Sequence, residues 1–275
     1  MIATWVDTDR YPLHDLAGEV GSAVIGHAKR QLADSGYVEL PGFLNARGVE
    51  ALVSDAEALT CRAHFSAGSG TAYLEPPDSD LPDDHPRRWT GRFSLRAVPY
   101  DLIPRSSVLR LLYEWEPLVD LLSGVLGRGP LYRYSDPFGA LNLAVMGEGD
   151  ELQWHFDQTD FVVSLAIQAA AEGGDFEVAP LIRSAGDEHL SDVAAVLGGD
   201  MTDVRTIAMS PGTLLVFEGR HSLHRVSPIS GGRLRHVGLL AYDTRPGTTG
   251  SELLRMSRYG RTLPFEQPPE RWPAS

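Results

Sequence analysis

The sharpest chemical signal in the chain is the run Gln153-Trp154-His155-Phe156-Asp157. In an extended strand the side chains at i and i+2 leave the same face. His155 and Asp157 would then aim an imidazole and a carboxylate at one point. A third ligand candidate is His224, in GRHSLHRVSP, directly after the apolar run Thr213–Glu218 (TLLVFE). Two histidines and one carboxylate on one face of a metal leave three positions open, the arrangement of non-haem Fe(II) oxygenases. Those positions admit a chelating cosubstrate and O2. A cosubstrate such as 2-oxoglutarate needs a cation for its distal carboxylate, and Arg235, in the next strand-like run, offers a planar fork that binds carboxylate bidentately. By itself His-x-Asp is weak, because a chain with nine histidines can hold one by chance. The ordered set His155, Asp157, His224 and Arg235 is what makes the metal reading specific.

The elements that must position these residues read as follows. Residues 15–35 carry helical spacing and stop at Gly36. Tyr37–Leu44 alternates like a short strand, and Asn45 can cap a second helix running to about Arg62. The stretch 64–99, with Pro76, Pro77, Pro82, Pro86 and many aspartates, reads as a long irregular loop with an acidic lid around Asp78–Asp84. Ser106–Leu126 is a third helical stretch, interrupted near Pro117. Past Gly127 come short apolar runs bounded by Gly, Pro, Asp or Ser: Leu141–Met146, Phe161–Gln168, Asp175–Val178, Thr206–Met209, Thr213–Glu218 and Val237–Tyr242. This spacing suggests a β-sandwich or barrel, with a helix-like insert at 182–203. The expected fold is α+β with a mainly β, jelly-roll core and flanking helices. It is read as a single domain: 1–127 mostly helical, 128–250 the core, 251–275 a tail.

Composition narrows the class. The chain has 275 residues, 24 Lys+Arg against 37 Asp+Glu and a formal charge of −13. That charge argues against nucleic acid or an anionic membrane as partner. Its one cysteine, Cys61, excludes an internal disulfide framework and a Cys-rich metal site, so a metal must be held by His and carboxylate. No signal peptide or membrane span is legible, and a cytoplasmic location is expected.

The stretches GDELQWHFDQTDFVVSLAIQ, GGDFEVAPLIR, SPGTLLVFEGRHSLHRVSP and LLAYDTRPG resemble the Fe(II)/2-oxoglutarate-dependent dioxygenases. The resemblance spans roughly residues 100–250. Within that superfamily the sequence looks like the bacterial subgroup of free-amino-acid hydroxylases and radical halogenases. It implies a double-stranded β-helix, Fe(II), and 2-oxoglutarate and O2 as cosubstrates. It implies His155, Asp157 and His224 as ligands and Arg235 as the partner of the 2-oxoglutarate carboxylate. Arg233 is the rival to Arg235 and His221 the rival to His224. Asn142 would donate a hydrogen bond to 2-oxoglutarate. In the halogenases a small residue replaces the triad carboxylate, opening a site for chloride. Asp157 fills that place here, so hydroxylation is the implied outcome.

For substrate, the resemblance points to Gln158, directly after the carboxylate. Arg133, Asp136 and Glu151 lie near the motif and could meet the charged ends of an amino acid. The implied substrate is a free amino acid or similar small polar metabolite, with a homodimer left open. The alternatives are a carrier-tethered or peptide substrate, a desaturation or cyclisation outcome, and a non-catalytic metal-binding jelly-roll.

Overall fold

The computed structural model describes residues 2–265. Helix α1 (Glu19–Ser35) ends where Gly36 turns left-handed (φ 71°) and gives its N–H to the Leu32 carbonyl. Strand β1 (Tyr37–Leu40) follows at once. Asn45 caps α2 (Ala46–Thr60), accepting the Gly48 N–H at 3.0 Å.

The reading of 64–99 as one irregular loop is corrected. Both of its ends are strands, β2 (His64–Thr71) and β3 (Thr90–Pro99), paired antiparallel from His64↔Ala97 to Thr71↔Thr90. β2 reads HFSAGSGT, too rich in Gly and Ser to display a period of two, and is defined by its ladder on β3 instead. Residues 72–89 remain as the connecting loop, with Asp78, Asp80, Asp83 and Asp84 exposed. The third helical stretch divides into α3 (Val108–Tyr113) and α4 (Glu116–Leu126). Pro117 lies in the first turn of α4, where its missing N–H has no helical partner to lose.

The remaining strands are β4 (Tyr132–Arg133), β5 (Leu141–Met146), β6 (Glu151–His155), β7 (Val162–Gln168), β8 (Glu172–Gly173) and β9 (Phe176–Ala179). Helix α5 (Leu190–Leu197) occupies the expected insert. Then come β10 (Arg205–Ile207), β11 (Leu214–Phe217), β12 (Leu223–Val226), β13 (Ile229–Ser230), β14 (Arg235–Leu240) and β15 (Tyr242–Asp243). The segment read as a tail contains α6 (Glu252–Tyr259), a second correction. It has one turn pair between two glycines, too short for sequence periodicity to reveal, and Ser251 caps it by accepting the Leu254 N–H. The rest of that tail, 266–275, lies outside the described residues.

One curled eleven-stranded sheet carries the order β1-β11-β7-β14-β5-β3-β6-β12-β9-β10, with β2 alongside β3. β3 makes the bend: its Arg96–Pro99 end pairs with β5, and Phe93–Ser94 pairs with β6. The two walls so formed are those of a jelly-roll. Helices α1–α4 cover the outer face of the β5 wall in the largest apolar cluster, which includes Leu52, Leu112, Leu121, Leu143 and Val163. Truncating one fully buried leucine there, such as Leu52, costs about 2–5 kcal/mol.

Alternation decides which side chains enter the barrel. Along β5, Leu141, Leu143 and Val145 belong to the helix-side core, while Ala144 and Met146 join an inner cluster with Leu95 and Val226. Asn142 shares the inner face. Along β14, His236 turns outward, 3.0 Å from the Thr60 hydroxyl on α2. Its neighbour Arg235 therefore turns inward.

Candidate metal centre

His155 ends β6 and His224 sits in β12, directly opposite it in the antiparallel register. Asp157 lies two residues past the strand end. Its backbone N–H donates to the Gly219 carbonyl at 3.1 Å, and the Phe156 N–H donates to the Ala72 carbonyl at 2.8 Å. These bonds carry the strand direction beyond its last residue. They hold Asp157 on the face of His155. A Cβ on Gly219 would lie 2.8 Å from the Asp157 Oδ2, so glycine is what leaves the carboxylate its place.

Ligand atoms of His155, Asp157 and His224 all lie within 4.8 Å of one another. Among the described residues no other group of three His, Cys, Asp or Glu side chains converges in this way. His224 Nε2 is 3.1 Å from Asp157 Oδ2, and the two imidazole rings are 4.2 Å apart. His155 Nδ1 is 2.8 Å from the Gln153 carbonyl and His224 Nδ1 is 2.9 Å from the Ser222 carbonyl. A carbonyl only accepts, so each Nδ1 carries the proton and each Nε2 presents a lone pair to the centre.

The electrostatics agree with this donor set. Burial and then the neighbouring His224 lower the His155 pKa to about 4, against the pull of Asp157. Burial works against the Asp157 anion, but His224, by charge and hydrogen bond, and His155 outweigh it and bring the carboxyl to about 2. A neutral imidazole beside an ionised carboxylate is the form a hard divalent metal binds. Phe217 and Phe176 wall the His224 ring at 4.9 and 5.6 Å. The His224 side chain is 6% exposed and the Asp157 side chain 27%, so the centre opens on the Asp157 side.

Arg235 is buried at the start of β14. Its nearest polar contact is the Met146 sulfur at 3.9 Å, and among the described residues it makes no ion pair. Burial lowers its pKa to about 10, partly offset by Asp175. It lines a cavity of about 50 Å³ with Gln168, Asp175 and Gly174. A Cβ on Gly174 would come within 3.1 Å of the Arg235 Cδ. Arg233 differs: it donates to the Ala169 and Ala170 carbonyls, both at 2.8 Å. Asn142 is buried with its Oδ1 unpartnered. His221 stands outside the ligand group.

The substrate candidates separate. Gln158 is exposed at the mouth, its carbonyl accepting from Arg220. Arg133 donates to the Tyr113 and Glu114 carbonyls and pairs with Glu116 at 2.9 Å, stapling the α3–α4 junction. Asp136 is held by the Phe138 and Gly139 N–H groups and by Arg255, while Glu151 pairs with Arg92. Two residues coupled electrostatically to the centre escaped the sequence reading. Tyr134 is one: its pKa rises to about 12 through burial and then Asp243, Asp157 and Asp160. Arg258 is the other, its charge lowering both His155 and Asp157. The strand alternation that turns Arg133 away was a signal for Tyr134. Nothing in the sequence marked Arg258. A cavity of about 750 Å³ lies between α1 and β1 and is lined by none of the ligand residues.

Solved structures share this architecture. A 2OG-Fe(II) oxygenase family oxidoreductase from Burkholderia pseudomallei superposes with a TM-score of 0.52 at 17% identity, over 81% of this chain and 92% of that one. AviO1 from Streptomyces viridochromogenes Tue57 gives 0.56 at 18%, over 81% and 96%. The epimerase SnoN, solved with Fe3+, alpha ketoglutarate and nogalamycin RO, gives 0.55 at 14%, over 80% and 84%. The likeness shows a shared fold, with the His155–Asp157–His224 group inside it. The family profile described as Halogenase D matches residues 85–251, more than half of the chain, and the chain belongs to that family. No curated protein sequence matches it.

Proposed function

We propose that this protein is an Fe(II)- and 2-oxoglutarate-dependent hydroxylase acting on an unactivated C–H bond of a free amino acid or a similar small polar metabolite. The observation that carries the reading is the carboxylate of Asp157, held within the His155–His224 group of a Halogenase D family chain. Where a halogenase leaves room for halide, this centre has an anchored anionic ligand. His155, Asp157 and His224 would hold the metal. Fe(II), when bound, would activate O2, one oxygen atom of which oxidises 2-oxoglutarate to succinate and CO2 while the other is inserted into the substrate C–H bond.

The chain's own residues account for the rest. Arg235, buried and in no ion pair among the described residues, suits the distal carboxylate of 2-oxoglutarate, and the free Oδ1 of Asn142 marks a second polar group in the barrel interior. Phe176 and Phe217 keep water from the His224 side, which protects a reactive oxidant. Gln158 stands beside Asp157 where substrate must enter. The helices of the described residues are too short and polar to cross a membrane, and the lone cysteine fits a reducing compartment, so a cytoplasmic small-molecule enzyme is the consistent setting.

The test is anaerobic reconstitution with Fe(II) and 2-oxoglutarate, followed by exposure to air with each proteinogenic amino acid. The expected result is gain of one oxygen atom by one of them, stoichiometric with succinate. Chlorination in the presence of chloride would overturn the hydroxylase assignment. Coupling only to peptides or carrier-bound residues would overturn the substrate.

A further inference from the structure

Three side chains adjacent in sequence to the metal ligands share one apolar cluster. Trp154 and Phe156 flank His155, Leu223 precedes His224, and all three pack with Tyr73, Val193 and Val196. The two valines come from α5, so the insert between β9 and β10 buttresses both ligand-bearing strands from one side.

Arg183 stands at the edge of that cluster, its side chain only 13% exposed. Its guanidinium carbon lies 3.8 Å from the centroid of the Phe156 ring, the residue between two ligands. Its Nε donates to the Arg220 carbonyl at 2.8 Å, and its backbone N–H donates to the His221 carbonyl at 3.3 Å. A terminal nitrogen pairs with Glu188 at 3.0 Å. The first three contacts land on the two backbone segments that carry the ligands. One segment is His155–Asp157. The other is Gly219–His224, in which the Gly219 carbonyl takes the Asp157 N–H and the Ser222 carbonyl fixes the His224 tautomer. Leu181, two residues before Arg183, adds a bond from its N–H to the Ser222 hydroxyl at 3.1 Å. Arg220 ties the same segments from its own side, bonding Asp160 at 2.6 Å and the Gln158 carbonyl just past Asp157. The fourth contact serves a different purpose, because Glu188 also lies 3.9 Å from Arg87 at the end of the 72–89 loop. A lysine could supply charge to Glu188, but not a flat face on Phe156 together with a directed bond to Arg220.

We propose that Arg183 is a positioning residue of the metal centre: it fixes the Gly219–His224 segment against the His155–Asp157 strand end and so sets the spacing of the three ligands. The assignment rests on the metal-binding part of the hydroxylase reading and is independent of the substrate.

The experiment uses the full chain after dialysis against a chelator, titrated anaerobically with Co(II). Calorimetry reads affinity, visible absorption reads the geometry of the ligand field, and thermal unfolding of the metal-free protein reads stability. Arg183→Met should weaken Co(II) binding roughly tenfold or more and alter the Co(II) spectrum. Arg183→Lys keeps the Glu188 pair, so it should regain stability without the wild-type affinity or spectrum. It carries the test if the methionine variant fails to fold. Glu188→Gln should lower Tm and leave both Co(II) readouts as in wild type. Wild-type affinity and spectrum in either Arg183 variant overturn the proposal. So does their loss in Glu188→Gln, since the ion pair would then be what positions the ligands. If wild type binds no Co(II), the metal reading falls and this proposal falls with it; binding by wild type with unaltered Arg183 variants sinks this proposal alone.

Discussion

At the scale of single residues, Gly219 is the least conspicuous part of the centre and one of the most constrained. Its carbonyl accepts the Asp157 N–H, and a Cβ there would meet the carboxylate oxygen at 2.8 Å and the Val162 methyl at 2.9 Å. One neighbour is a ligand and the other is core, so neither can yield without cost. Gly219→Ala should therefore weaken divalent metal binding roughly tenfold or more while leaving the fold intact. Mn(II) titration by calorimetry, with circular dichroism as control, checks this. Unaltered affinity would mean that Asp157 has freedom the geometry does not suggest. The converging triplet was legible in two parts: strand alternation names His155 and Asp157, and His224 follows from its place after an apolar run and from the family resemblance. The role of Gly219 was not, since its constraint comes from a loop crossing that no local pattern encodes. Arg258 was hidden for the same reason: its helix meets β2 and β3 through tertiary packing alone.

At the scale of elements, the α2–β14 contact is tuned by His236. The ring is buried between the Thr60 hydroxyl at 3.0 Å and the Gln168 amide at 3.4 Å. Burial lowers its pKa, with a weak opposing pull from Glu57. An unfolded histidine titrates near about 6.5. Below that pH the unfolded chain binds a proton that folded His236 still refuses, so stability is lost as pH falls from there toward the folded pKa and rises with pH across that window. His236→Gln should flatten this part of a Tm-against-pH curve relative to wild type; an unchanged slope would assign it to other groups.

Helix α6 gives a second element-scale expectation. Asp136→Ala removes a buried carboxylate that serves Arg255 and the Phe138 and Gly139 N–H groups. The loss should be about 3–5 kcal/mol, read by urea unfolding, with proteolysis near α6 appearing first. A loss below about 1 kcal/mol would show that the clamp is not what holds the helix. Helices with a cap and a stop, such as α1 and α2, and strands with dense apolar runs, such as β5 and β7, were readable in advance. β2 and α6 were not. The first has no period of its own, and the second is too short to declare one, so each exists because of its neighbours.

At the scale of the whole molecule, the −13 charge and the cosubstrate are in conflict. 2-Oxoglutarate is a dianion approaching an acidic surface, and its proposed anchor, Arg235, is a single buried cation. The two interactions differ in range. Repulsion acts through water over distances comparable with the Debye length, about 10 Å at 0.1 M salt, and fades as ions are added. Attraction to a buried guanidinium acts at contact and is screened much less. KM for 2-oxoglutarate should therefore fall, or at most hold level, as ionic strength rises from roughly 0.01 to 0.15 M, the opposite of an enzyme that steers its anion with surface cations. Arg235→Met should raise KM roughly tenfold or more at every salt concentration and leave the slope unchanged, because the slope belongs to the field and the offset to the anchor. Arg233→Met, whose parent side chain is bound to the Ala169 and Ala170 carbonyls, should do neither. Steady-state succinate assays across the salt series decide between these outcomes, and a KM that climbs steeply with salt in wild type would place the decisive cation at the surface rather than in the barrel.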